Sequence, residues 1–366
     1  MQKIKLFLLG IILCFSLFAN AQTEKLKPGF DKYEYLEMLR ISARQIDTPW
    51  THVQTPYPEK YSFAYRSPIV GLKNRWDLWI SKDSMAVISI RGTTIESVSW
   101  LENFYAAMVP AVGELKISNS FTFSYHLADN SKAAVHVGWL LGMASLSTTI
   151  LEKIDSCNKI GIKNFIIMGH SQGGAIAYLL TSYILNLQST GHLSSDLHFK
   201  TYCSAAPKPG NRYYAYDFEN ETQPGWAMCV VNADDWVPEF PFSIQTINDF
   251  NEVNPFVDVN AIIGKEKFPA NIILKRTYRR LANPPKQAQR RFERITGKSA
   301  YKEVKKVLPE FVQPTYYPSN DYVRTGIPIV LIPDEGYYKL FPYDSKQLFI
   351  HHLVAPYYYL AERVKE

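Results

Sequence analysis

Apolar residues along this chain gather into short, nearly unbroken runs, with longer stretches of helical spacing between them. Met85-Ala86-Val87-Ile88-Ser89-Ile90 reads as a buried strand, and so do Asn164-Phe165-Ile166-Ile167-Met168, His198 to Cys203, Ala227-Met228-Cys229-Val230-Val231 and Ile327 to Ile332. Strands without polar alternation are buried on both faces, as in a mostly parallel sheet covered by helices on each side. Tyr33 to Arg44 and Gly173 to about Leu187 have helical spacing. The alternation predicts an α/β fold, and no internal repeat or low-complexity tract interrupts it.

The N-terminus departs from this pattern. Lys3 and Lys5 precede an apolar run from Leu6 to Phe18 that is too short to span a bilayer, and Ala19-Asn20-Ala21 has the small-x-small form of a signal peptidase site. Residues 1–21 are expected to be a signal peptide, exporting the mature chain to the periplasm or the medium. Leu13 stands where a lipidated Cys14 would need a small residue, which argues against a lipid anchor. Residues 22–366 are enough for one large domain with a substantial core, and no later apolar run approaches the ~20 residues of a membrane span. Cys157, Cys203 and Cys229 are too few for a disulfide scaffold and form no C-x-x-C pair, so buried free thiols are expected.

Charge changes the picture in one place. Between Lys265 and Lys306 there are 14 lysines and arginines against three acids, a net of about +11, while the whole chain carries +6. The rest of the mature chain is therefore acidic, a polarity the bulk value hides. Ala288, Phe292 and Ile295 share one helical face, as do Tyr301, Val304 and Leu308. Asn283-Pro284-Pro285 and Thr296-Gly297 punctuate the segment, which predicts two or three short amphipathic helices. Residues from about 245 to 320 thus read as a basic helical cap inserted into the single domain.

Gly169-His170-Ser171-Gln172-Gly173 lies between a predicted strand and a predicted helix. A G-x-S-x-G turn in that setting strains the serine backbone, demands small residues two positions to either side, and lifts the hydroxyl clear of the sheet. It also aims the N–H of Gln172 at a developing oxyanion, beside a helix N-terminus. Ser171 is the candidate nucleophile. A serine hydroxyl needs a base and an orienting acid, and in this kind of fold they follow it in the order acid, then histidine. His192 and His198 come too early, which leaves His351 and His352; Asp234 and Asp235, ending the fourth strand, are the candidate acids.

Further patterns flank the elbow in order. Ile90-Arg91-Gly92-Thr93 is a strand ending in R-G-[ST], Trp100-Leu101-Glu102-Asn103 is W-x-x-[DN], and His136-Val137-Gly138-Trp139 is H-x-G-[FWY]. Ser204 to Asn211 is similar to G-x-P-x-x-G-[ND], and Asn232 to Pro238 to N-x-x-D-x-V-P. From about Ala86 to Pro241 the chain resembles the class 3, or fungal lipase-like, family of α/β-hydrolases. The resemblance implies Ser171 as nucleophile, Asp235 rather than Asp234 as acid, and His352 as base, since His352 stands five residues before Tyr357 in an H-x-x-x-x-Y pattern. It implies Thr93 as the oxyanion partner of Gln172, through its backbone N–H and its hydroxyl, and a lid helix within about Thr94 to Ala107. Two departures stand out: the long gap from Asp235 to His352, filled by the basic cap, and Ser204 in place of the family's glycine.

The activity implied is hydrolysis of a lipid ester, acylglycerol or phospholipid, with no metal and no organic cofactor. Trp100, Leu101, Phe104, Tyr105 and Met108 are lid and acyl-site candidates, with ordinary helix packing the competing reading. The basic cap suits an anionic lipid surface or a solvated helical face; no nucleic-acid partner is expected. A carboxylesterase on soluble, feruloyl-type esters is the alternative enzyme. A binding protein on a decayed lipase fold is the alternative from another class, opposed by the complete set of candidate catalytic residues.

Overall fold

A computed structural model of the chain describes residues 26–46, 53 and 55–365; the expected signal peptide lies outside the described residues. After helix α1 (Lys32–Ser42), strands β1 (Tyr61–Arg66), β2 (Trp76–Ser81) and β3 (Met85–Ile90) form an antiparallel meander. Helix α2 (Ser97–Phe104) follows, then β4 (Met108–Pro110), the hairpin β5 (Val112–Lys116) and β6 (Thr122–His126), β7 (Ala134–His136) and the long α3 (Val137–Lys159). Strand and helix then alternate through β8 (Asn164–His170), α4 (Gln172–Ser189), β9 (His198–Ser204), β10 (Gly210–Asn211), α5 (Arg212–Glu221) and β11 (Ala227–Asn232). The basic segment holds α6 (Val259–Gly264), α7 (Ala270–Glu293) and α8 (Ala300–Val307). The remaining elements are β12 (Tyr322–Val323), β13 (Ile327–Leu331), α9 (Glu335–Leu340) and α10 (Val354–Ala361).

The main sheet runs β1-β2-β3-β8-β9-β11-β13 and is parallel from β3 onward, the α/β-hydrolase arrangement expected from the sequence. A smaller antiparallel sheet, β12-β10-β7-β4, lies apart from it. Side chains alternate across a strand, and both sides are buried in the inner strands β3, β8, β9 and β11, while the edge strands β1 and β13 are partly exposed. Ile88, Phe165, Ile167 and Cys229 pack with residues of α3, α4 and α5 on one face. Val87, Ile166, Met168 and Met228 pack with α1 and α10 on the other. Cys157, Cys203 and Cys229 are buried and unbridged, as expected.

The cap differs from the expectation of short helices. Helix α7 continues through Pro284 and Pro285, enters a π turn at Arg294–Ser299, and passes into α8 without a break. The prolines lie on a mostly exposed stretch of the helix, and Arg280 and Leu281, whose carbonyls lose N–H partners to them, are exposed residues.

Candidate active site

Strand β8 ends at His170 and α4 opens at Gln172, so Ser171 alone makes the turn, with φ 61° and ψ −132°. A non-glycine residue at that φ is strained, and its neighbours over-determine it. The Ser171 N–H donates to Ser204 O at 2.9 Å, and the Gly174 N–H returns to Ser171 O at 2.9 Å. A Cβ on Gly169 would lie 2.0 Å from Gly173 O, and one on Gly173 would lie 2.3 Å from Ile90 O. The elbow closes only with glycine at both positions.

Across 117 residues of sequence, His352 meets Asp235: Nδ1 lies 2.7 Å from Asp235 Oδ2. A carboxylate accepts, so Nδ1 carries the proton and Nε2 keeps its lone pair. Asp235 is buried and takes two further donors, the Tyr357 hydroxyl on Oδ2 at 2.7 Å and the Val237 N–H on Oδ1 at 3.0 Å. Tyr357 thereby gives the H-x-x-x-x-Y spacing a physical reason. His351 turns away, with Nδ1 2.7 Å from the Tyr337 hydroxyl, and Asp234 is exposed. The Asn232 amide donates to His351 O at 3.0 Å and to the Tyr337 hydroxyl at 2.8 Å, tying the histidine-bearing turn to the end of β11.

The His352 ring lies 5.2 Å from that of His170, the residue before Ser171. No hydrogen bond joins Ser171 to His352 among the described residues, a gap common at such sites before substrate binds. His170 is buried, which pushes its pKa down to about 3 and keeps it neutral. Its Nε2 donates to His352 O at 2.7 Å, so Nδ1 accepts from Ser204 Oγ at 3.0 Å. Ser204 Oγ in turn accepts from the Tyr35 hydroxyl at 2.7 Å. Ser204, which departs from the family pattern, thus joins a directed chain from Tyr35 to the His352 backbone.

Thr93 and Gln172 face each other across the elbow. Thr93 Oγ1 donates to Gln172 Oε1 at 2.7 Å and accepts from Asn103 Nδ2 at 2.9 Å. Its single proton is committed, so the hydroxyl is not aimed at an oxyanion, and the backbone N–H is what Thr93 can offer. Among the described residues, no acceptor occupies the N–H of Thr93 or of Gln172. Asn103 is held by Trp139 Nε1 on Oδ1 at 2.9 Å, and Trp139 stacks on His136 at 3.6 Å. One residue earlier, Glu102 is fully buried; its Oε2 accepts from Asn74 Nδ2 at 2.6 Å, with the Gln172 side chain adjacent. Burial pushes its carboxyl pKa up to about 8 against the opposing amides of Asn74 and Gln172.

The lid candidates divide. Trp100 packs on Phe104 at 6.4 Å and on Phe349 at 5.6 Å, and Phe349 reaches the His352 ring at 6.0 Å. Trp100, Leu101 and Phe104 are at least partly exposed on α2. Tyr105 and Met108 are both fully buried, Tyr105 against Phe311 and Tyr316, Met108 inside β4. His170, Ser204, Tyr357, Asn103 and Glu102 were not marked as site residues from sequence; for Tyr357 and Asn103 the signal lay in motifs used only for register.

An elbow serine and an aspartate-bound histidine on the carboxyl rim of a parallel sheet place the chain among the α/β-hydrolases. Residues 87–245 match the family model for lipase (class 3). It is similar to secreted mono- and diacylglycerol lipase 1 of Fusarium solani, 25% identical over 191 residues, covering 51% of this chain and 49% of that protein. It is also similar to secreted mono- and diacylglycerol lipase 3 of Gibberella zeae, 28% identical over 168 residues, covering 46% and 48%. The chain thus spans about half the length of these curated relatives. Among solved structures, a Rhizomucor miehei triacylglyceride lipase is 18% identical with a TM-score of 0.44, over 59% of this chain and 77% of that one. The family match ends before the basic helices and before His352.

Proposed function

We propose that this chain is an exported serine ester hydrolase acting on lipid esters, with acylglycerols the first substrate class and phospholipids the second. The observation that carries the reading is the 2.7 Å contact of His352 Nδ1 with Asp235, on the sheet rim that holds the strained Ser171. His352 Nε2 takes the Ser171 proton as the hydroxyl oxygen attacks the ester carbonyl. The N–H groups of Thr93 and Gln172 receive the oxyanion, and Asp235 holds the imidazole tautomer and balances the imidazolium. His352 then protonates the leaving alcohol, and water attacks the acyl-enzyme with the same histidine as base. No step calls for a metal or an organic cofactor.

Two relatives are named as secreted mono- and diacylglycerol lipases, which favours acylglycerols and supports export. Residues 1–21 would be removed and 22–366 would form one catalytic unit with its basic cap; N-terminal sequencing of the exported protein tests the cut after Ala21. Labelling by a fluorophosphonate probe, lost in Ser171→Ala, tests the nucleophile. Rates across p-nitrophenyl esters of rising acyl length, with emulsified triglyceride and phospholipid alongside, test the substrate class. Activity on dissolved esters without enhancement at an emulsion would instead assign a soluble-ester carboxylesterase.

A further inference from the structure

The helix from Ala270 to Glu293 exposes the wrong side of itself for a packed element. On a 3.6-residue repeat, Ile273, Leu274, Leu281 and Ala288 share one face with Thr277 and Pro284. Amphipathic helices normally bury that face. Here Ile273 is 60% exposed and Leu281 71%, while the helix touches the body through Tyr278, Ala282, Pro285 and the buried Gln289, a quarter turn away. Arg276, Arg280 and Arg291 line the far edge of the apolar stripe, and all three are exposed.

The buried positions of this long helix and its continuation, Gln289, Gly297 and Val304, all fall toward its C-terminal end. Phe292 packs beside Met108, Ala134 and Tyr322. Gly297, in the π turn, comes so close to the body that a Cβ there would sit 2.8 Å from the Tyr316 ring and 3.0 Å from Ala107 Cβ. Val304 is fully buried, and α8 packs directly on α2, the helix that carries Trp100 and Glu102. The same continuous helix therefore ends against the active-site cover and begins as an exposed basic arm.

We propose that α7 is a docking arm for an anionic lipid surface, lying in the plane of the interface with Ile273, Leu274 and Leu281 inserted and Arg276, Arg280 and Arg291 at the headgroup phosphates. This rests on, and deepens, the lipid-ester reading. A net of about +11 between Lys265 and Lys306 matches a negatively charged surface and opposes pairing with a second copy of the same segment. A nucleic acid would use the arginines but leave the isoleucine and leucine edge in water, whereas a bilayer takes both.

The test is co-sedimentation of the mature full-length chain with phosphatidylcholine vesicles and with vesicles containing about a third phosphatidylserine. Binding to the anionic vesicles should be at least tenfold tighter and should weaken severalfold between 0.05 and 0.5 M salt. Arg276→Gln/Arg280→Gln should lose most of the preference for anionic vesicles. Leu281→Asn should weaken binding to both kinds of vesicle while keeping the salt dependence. Melting curves confirm that the variants fold, since both changes lie on exposed surface. Ser171→Ala should bind vesicles like the parent chain, so a failure of hydrolysis and a failure of docking are read separately. Equal binding to neutral and anionic vesicles, no binding to either, or retention on duplex DNA with no vesicle binding would each overturn the proposal.

Discussion

His170 donates its Nε2 proton to the backbone carbonyl of His352, 2.7 Å away, so the residue next to Ser171, the proposed nucleophile, holds the backbone of the proposed base. The two belong to distant parts of the chain, and the neutral state that burial enforces on His170 leaves Nδ1 free to accept from Ser204 while Nε2 donates. Tyr35 and Ser204 complete the arrangement by presenting a donor to the other ring nitrogen. A displacement of about 1 Å at a reacting group can cost ~100-fold in rate, so this orientation matters more than its bond energy. His170→Ala should lower kcat on a short p-nitrophenyl ester about 10- to 100-fold with little change in KM. Ser204→Gly, which restores the family's usual residue, should lose severalfold. Unchanged kcat in both would show that His352 needs no such support.

Tyr357→Phe tests the other side of the histidine. It removes one of three donors to a buried carboxylate while keeping the ring in place. A lost hydrogen bond to a charged group costs about 1.5–3 kcal/mol. Chemical denaturation should show a loss of that order, and kcat should fall about tenfold. Full activity with lowered stability would confine Tyr357 to a structural part.

Thr93→Ala separates backbone from side chain. Its N–H survives, while the hydroxyl bond to Gln172 and the contact with Asn103 are lost. The expected loss in kcat is about tenfold, well below the 10²–10³ typical of deleting an oxyanion donor. A loss of that larger size would make the hydroxyl itself the donor.

Glu102 should set an alkaline limit on stability. Its folded pKa is raised from 4.5 to about 8 by burial, so the folded chain holds a proton that the unfolded chain gives up. Its contribution is complete below about 4.5 and is lost as pH rises through about 8. Glu102→Gln should flatten that limb. At pH 9 the variant should exceed the parent by about 2–4 kcal/mol in denaturant unfolding, with a smaller difference at pH 6. A parallel pair of pH–stability curves would show that Glu102 ionises normally.

His136 and His170 act at the opposite end. Burial drives both folded pKa values from 6.5 down to about 3, so unfolding at acid pH takes up protons. Stability present above 6.5 should drain away as pH falls toward 3, and thermal scans should place the maximum between these acid and alkaline limbs.

What the sequence disclosed follows its physics. Four of the five parallel strands are legible because burial on both faces removes polar alternation, whereas β13 is an apolar run at the sheet edge that leaves Ile327 and Val330 exposed; the elbow is legible because its glycines have no substitute. β1 and β2 escaped notice: β1 exposes Ser62, Phe63 and Ala64, and β2 buries Asp77 against Arg66, so neither shows a continuous apolar run or a clean alternation. Pro284 and Pro285 read as a break, since local rules do not know that the helix around them faces water. The supporting shell was hardest to see. His170, Ser204 and Tyr35 meet only through the tertiary fold, and nothing local in Ser204 announces that its hydroxyl will be used.

The separation of 117 positions between Asp235 and His352 has a consequence for the order in which the molecule is built. Loop-closure entropy makes contacts of such separation late and slow to form. A chain with its elbow and inner strands formed but its C-terminal segment undocked lacks the imidazole proposed to deprotonate Ser171. Ester turnover would then be a readout of finished folding, silent until the last segment docks.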